Sequence, residues 1–330
     1  MKEGEDMIFT KKIKKRILNV SILLILCCSM ILKTNVLAAE DKNEDFVLQK
    51  YHCDNLPQEF NSNISFQEIE QDIFNYINYR ELSIEKGTEE YLELMYSVLW
   101  GELKDITELT QRYYEAYASV YVVEVQKESA KINNEKTSQE NYSPKLEGSI
   151  RERREENLLR KTRILSEAEN ENRSTRASYS VSKAQTYAKQ YALSWNYVYG
   201  RYSSDCTNFA SQIVHYAGMP LVSGVWQWNG NEAAKYNWNV AHAFTEYWTL
   251  IRGYNGGDYT TRADVNRVAK PGDFIAYMSK DTYEIWHVTF VQSKSNGLVY
   301  ISQHTTDRYN EKWNDIPVTP SSTYIVIKFS

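Results

Sequence analysis

Tyr197-Val-Tyr-Gly-Arg-Tyr-Ser-Ser-Asp-Cys-Thr-Asn-Phe-Ala-Ser-Gln-Ile-Val-His-Tyr-Ala-Gly218 sets a lone cysteine, Cys206, at the start of an amphipathic helix. Phe209, Ala210, Ile213 and Ala217 recur at helical spacing, and Gly218 supplies a stop. Asp205 is a favoured N-cap type, which puts Cys206 at the first helical position. A helix N-terminus carries unpaired N–H groups and partial positive charge. Both favour thiolate over thiol, and the thiolate is the nucleophile. An N–H of the same turn can also hold an oxyanion. The plainer reading of Cys206 is a small buried hydrophobe.

Two further stretches bear on that choice. Trp286-His287-Val288-Thr289-Phe290-Val291 reads as a strand with a histidine, and Val299-Tyr-Ile-Ser-Gln-His304 as another ending in one. A cysteine followed by histidine-bearing strands is the order of nucleophile and base in cysteine hydrolases. Asp205-Cys206-Thr207-Asn208-Phe209-Ala210-Ser211-Gln212, Pro271-Gly272-Asp273-Phe274-Ile275, His287-Val288 and Ser302-Gln303-His304-Thr305 together resemble the putative amidase domain family, papain-like cysteine amidohydrolases near the CHAP group. The resemblance covers about residues 180 to 330. It implies Cys206 as nucleophile, His287 as base and an orienting group on the next strand. For that group the reading takes His304, seventeen residues past His287, and keeps Gln303 in reserve. Neighbours on a strand face opposite ways, so the two cannot both serve. His215, nine residues past Cys206, faces away from it. His242 has no evident partner.

The rest of the chain surrounds this segment. With 330 residues there is room for two domains. The net charge of −5 gives no reason to expect a nucleic-acid partner. Lys11, Lys12, Lys14, Lys15 and Arg16 precede an apolar run from Ile17 to about Leu32, and Val36-Leu37-Ala38 fits a cleavage site. Residues 1–38 therefore read as a signal peptide, leaving no stable membrane anchor. Large residues before Cys27 and Cys28 argue against a lipid anchor there. After cleavage Cys53 and Cys206 remain, read as lying in different regions. Ser65-Phe66-Gln67-Glu68 is a capping box, followed by a helix to about Glu85. A second helix is expected from Glu89 to about Leu109, and Val120–Val125 fits a strand or the end of a helix.

The predicted plan is thus a helical N-terminal region over 39–126, a polar tether with one helix over 127–178, and an α+β papain-like amidase domain over 179–330. That domain opens with a helix from about Ser180. It has loop-rich residues 219–262 and a helix from Ala241 to Leu250. Its strands are Gly272–Tyr277, Trp286–Gln292, Leu298–Gln303 and Thr323–Phe329. The expected function is an exported cysteine amidohydrolase, secreted or cell-wall associated, acting on a cell-wall peptide or another amide. No cofactor is called for, and no histidine pair has zinc-ligand spacing. Two alternatives remain. One is a wall- or carbohydrate-binding module using Trp226, Trp228 and Trp238; the other is a cysteine peptidase acting on proteins.

Overall fold

The computed structural model describes residues 50–51, 55–131, 142–168 and 178–330. The predicted signal peptide, the two cysteines within it and Cys53 lie outside these residues. Among the described residues are nine α-helices and six strands, an α+β architecture. The helices are α1 (Phe66–Tyr79), α2 (Glu89–Leu99), α3 (Glu108–Lys131), α4 (Ile150–Ala168), α5 (Val181–Tyr191), α6 (Cys206–Tyr216), α7 (Glu232–Asn239), α8 (Ala241–Glu246) and α9 (Arg262–Val268). The strands are β1 (Asn255–Tyr259), β2 (Phe274–Ser279), β3 (Ile285–Ser295), β4 (Leu298–Gln303), β5 (Arg308–Lys312) and β6 (Ser322–Ile327). They form one antiparallel sheet in the order β1-β6-β2-β3-β4-β5.

Local chemistry accounts for many boundaries. The Ser65 hydroxyl accepts from the Glu68 N–H while the Glu68 carboxylate accepts from the Ser65 N–H, so α1 starts at a complete capping box. Ser180 caps α5 through the Lys183 N–H. Gly218 follows α6 at φ +112, a conformation side-chain-bearing residues avoid. The second helix is shorter than expected: it stops at Leu99, because Gly101 and Asp105 both take positive φ and turn the chain before α3. Val120–Val125 is helical, inside α3. Strands β1 and β5 and helix α7 lay hidden in the sequence. Asn255-Gly-Gly-Asp-Tyr and Arg308-Tyr-Asn-Glu-Lys are poor in strand formers and hold only as sheet edges.

The sheet is covered on both faces. Phe274, Ala276, Val288 and Phe290 pack with Phe209, Ile213 and Val214 of α6 and with Phe244 and Trp248 beyond it. Ile275, Tyr277, Val291, Val299 and Ile301 pack on the other side with Val120, Tyr121 and Val123 of α3 and their neighbours from α1 and α2. Helix α3 is buried nearly all round, as a helix through the middle of a structure must be.

Gln49–Ser330 is one compact unit, which departs from the division into region, tether and domain. The described parts of 127–178 are structured: α3 runs on to Lys131, and Leu146, Ile150 and Asn157 are buried. The charged face of α4 is not merely solvated. Asn157 donates to the Thr282 carbonyl, Arg154 to the Tyr283 hydroxyl, and Arg160 pairs with Glu246 at 2.5 Å. Low apolar content misled the reading, because a helix can be held by polar contacts to a partner far along the chain.

Candidate active site

Cys206 is the first residue of α6, as its sequence context predicts. Its sulfur is 1% exposed at the residue level. The backbone N–H groups of Val288 and Thr207 and the Thr207 hydroxyl, 3.5 Å away, point at it and favour the thiolate. Burial outweighs them and pushes the thiol up to about 11.

Asp205 does not cap α6. Its backbone lies at φ −99, ψ 0, and its carboxylate makes no capping bond. Instead one oxygen accepts from the Tyr202 N–H and the Asn208 amide, and the other meets His304 Nδ1 at 2.6 Å. The sequence could not distinguish a cap from an ion pair ninety-nine residues away.

His304 consequently does not orient His287. Its Nε2 lies 2.8 Å from the Tyr191 carbonyl, and its ring stacks on Phe209 at 4.1 Å. Both ring nitrogens face oxygen atoms, an arrangement that suits the doubly protonated imidazolium. Burial opposes that charge, but Asp205 and the Tyr191 carbonyl together hold the His304 pKa above its ordinary value. Buried among α5, α6 and the end of β4, the pair fixes the turn that presents Cys206.

His287 is fully buried on β3 opposite Tyr277 of β2. Its ring packs edge-on against Trp100, at 5.1 Å between centroids, and against Tyr277 at 5.3 Å. Neither ring nitrogen has a hydrogen-bond partner, so none joins it to Cys206, which meets β3 next door at the Val288 N–H. Burial lowers the His287 pKa to about 3, only partly countered by the amide of Gln303. Gln303 donates to the Thr305 and Thr306 carbonyls, and its own oxygen is buried without a partner. The reserve candidate, not His304, is therefore the polar side chain beside His287. Nothing local in the sequence distinguishes which of Gln303 and His304 lies beside His287.

Three residues of the site were missed altogether. Gln126 of α3 donates from Nε2 to the Ser204 hydroxyl and the Trp286 carbonyl, both at 3.0 Å, and lies 4.0 Å from the Cys206 sulfur. Its oxygen accepts from the Ala241 N–H at 2.9 Å. Tyr96 of α2 bonds the Ser204 hydroxyl, and Trp100 covers His287. They stand eighty to one hundred and ninety residues from their partners, and no local pattern marks them.

Other sequence candidates fall elsewhere. His215 Nδ1 meets the Met219 carbonyl at the end of α6. His242 does have partners: Nδ1 lies 2.7 Å from Glu284 and Nε2 3.3 Å from Glu246. This network borders a cavity of about 290 Å³ whose lining includes neither Cys206 nor His287. Outside Asp205 a polar cavity of about 570 Å³ opens, lined by Glu89, Trp195, Arg201, Tyr202, Thr305 and Asp307 among others. Among the described residues no group of three or more His, Cys, Asp or Glu side chains is arranged to hold a metal ion.

Two Bacillus subtilis (strain 168) proteins are similar to this chain: the uncharacterized protein YhbB, 28% identical over 169 residues, and the uncharacterized protein YjcM, 33% identical over 140 residues. The alignments cover 48% and 40% of this chain, and the chain spans 53% and 32% of the two relatives' lengths. No solved structure matches. The model of the putative amidase domain family matches residues 178–327, the stretch from just before α5 to the end of β6. Residues 178–327 are thus similar to the putative amidase domain family.

Proposed function

We propose that the chain is an exported cysteine-dependent amidohydrolase with a papain-like mechanism, acting on amide bonds of cell-wall peptides. The observation that carries this reading is the placement of Cys206 at the N-terminus of α6, where backbone N–H groups of α6 and β3 aim at its sulfur one residue from His287. Cys206 Sγ attacks the amide carbonyl carbon while its proton passes to His287. The carbonyl oxygen becomes an oxyanion facing the α6 N-terminus. The imidazolium then protonates the amine as the C–N bond breaks, leaving a thioester. Water, deprotonated by His287, hydrolyses that thioester and returns the thiol. Gln303 is the group placed to orient the imidazole. Export rests on the basic and apolar pattern of residues 11–38, and the wall as substrate on export.

The binding-module alternative is weakened, because Trp226 and Trp238 are fully buried in the core and only Trp228 is partly exposed. The test is hydrolysis of peptidoglycan, of short peptide amides and of a protein substrate by the full chain and its variants. Cys206→Ser and His287→Ala should each abolish turnover, and the double variant should be no worse than either. An electrophilic amide analogue should add its mass at Cys206 alone. Full activity in Cys206→Ser would refute the mechanism, and preference for the protein would make the enzyme a peptidase.

A further inference from the structure

We propose that the side chains of Tyr96 and Trp100, at the end of α2, and of Gln126 on α3 form a built-in cover that holds the Cys206–His287 site closed, so that substrate reaches the sulfur only after these side chains move. This rests on the cysteine-hydrolase reading above and adds its regulation. A reacting amide must approach Sγ within van der Waals contact, yet Cys206 is 1% exposed and His287 is fully buried. Three residues of α2, its end and α3 close over them: Tyr96 bonds Ser204 in the loop before Cys206, Gln126 reaches the sulfur, and Trp100 packs on the His287 ring. All three lie outside the segment 178–327 that matches the amidase domain.

The way these residues hold on is that of a latch. Gln126 uses both ends of its amide to tie together the loop before Cys206, the strand of His287 and the start of α8. Its neighbours add Ser119 to Thr282 at 2.9 Å and the partly exposed Arg112–Asp281 pair at 2.6 Å. Such contacts exchange with water at small net cost, whereas the apolar packing of Val120, Tyr121 and Val123 keeps α3 itself on the sheet. In the closed state both nitrogens of His287 and the oxygen of Gln303 are buried without a well-formed hydrogen bond, although the two side chains are close enough to interact. Unsatisfied buried groups are unfavourable, and they fall on the residues the chemistry needs. With Trp100 lifted, the imidazole is free to turn to the thiol and to the Gln303 oxygen.

The experiment measures alkylation of Cys206 in the full chain, read by the mass of the Cys206 peptide so that other cysteines do not interfere. In native wild type, labelling should be about a hundredfold slower or more than in the unfolded chain. Across a urea series it should rise in a step at lower urea than the loss of tryptophan fluorescence that reports global unfolding. Gln126→Ala should raise native labelling about tenfold or more and move the labelling step further than the global one. Tyr96→Phe should act in the same direction with less effect on folding. Labelling of native wild type at the unfolded rate would overturn the proposal. So would coincidence of the labelling and global transitions, which would make Cys206 a core residue. The readout requires an accessible, ionisable Cys206 sulfur but no hydrolysis. Protein opened in this way that hydrolyses nothing would refute the amidase reading and leave the cover standing.

Discussion

Removal of His304 should cost more than the loss of a helix cap. In the native fold Asp205 Oδ2 meets His304 Nδ1 at 2.6 Å, both side chains are 1% exposed, and His304 Nε2 donates to the Tyr191 carbonyl. His304→Ala leaves the Asp205 carboxylate buried with two donors, Tyr202 N–H and the Asn208 amide, and no counter-charge. Breaking one partner out of a buried pair costs about 3–5 kcal/mol. A cap bond alone would be about 0.5–2 kcal/mol. Asp205→Asn should also destabilise, since it strands an imidazolium. The double variant should lose less than the sum of the singles, with coupling of up to about 3 kcal/mol. The imidazole pKa is raised in the fold from about 6.5. Its contribution is therefore present below pH about 6.5 and is lost as pH rises through the folded value; at the acid end it is lost again as Asp205, whose carboxyl burial holds above its ordinary value, takes up a proton. Urea unfolding followed by tryptophan fluorescence, repeated across pH, gives all of these quantities. Single-variant losses below about 1 kcal/mol, additive losses, or a pH slope unchanged in His304→Ala would refute the ion-pair assignment.

Two further tests address other parts of the frame. Gly218→Ala should destabilise by about 1–2 kcal/mol in the same unfolding assay, because the residue sits at φ +112 and a Cβ would lie 2.8 Å from the Ser178 carbonyl oxygen; an unchanged midpoint would show that the α6 stop is not glycine-dependent. Glu115 is buried in α3, and burial raises its carboxyl to about 7. Its raised pKa costs the fold stability progressively as pH climbs from about 4.3 to about 7. Glu115→Gln should remove that part of the slope and be the more stable protein at pH 8, as a comparison of urea midpoints at pH 5 and 8 would reveal.

Much of the frame was legible because local chemistry fixed it. The capping box at Ser65, the helical spacing after Cys206, the stop at Gly218 and the short runs rich in apolar, aromatic and β-branched residues in β2, β3, β4 and β6 each state their conformation within a few residues. The nucleophile and base candidates were legible for the same reason: Cys206 and His287 stand in distinctive neighbourhoods. Tertiary structure alone decided the rest. Val120–Val125 became helix because α3 runs through the core and is buried all round, which erases the amphipathic signal. Asp205 went to His304 and His242 to Glu284 and Glu246, since a buried charge takes whatever partner the fold brings within reach. Gln126, Tyr96 and Trp100 entered the site by packing across distances that no sequence pattern spans, because long-range contacts arise from the fold and not from the spacing of neighbours along the chain.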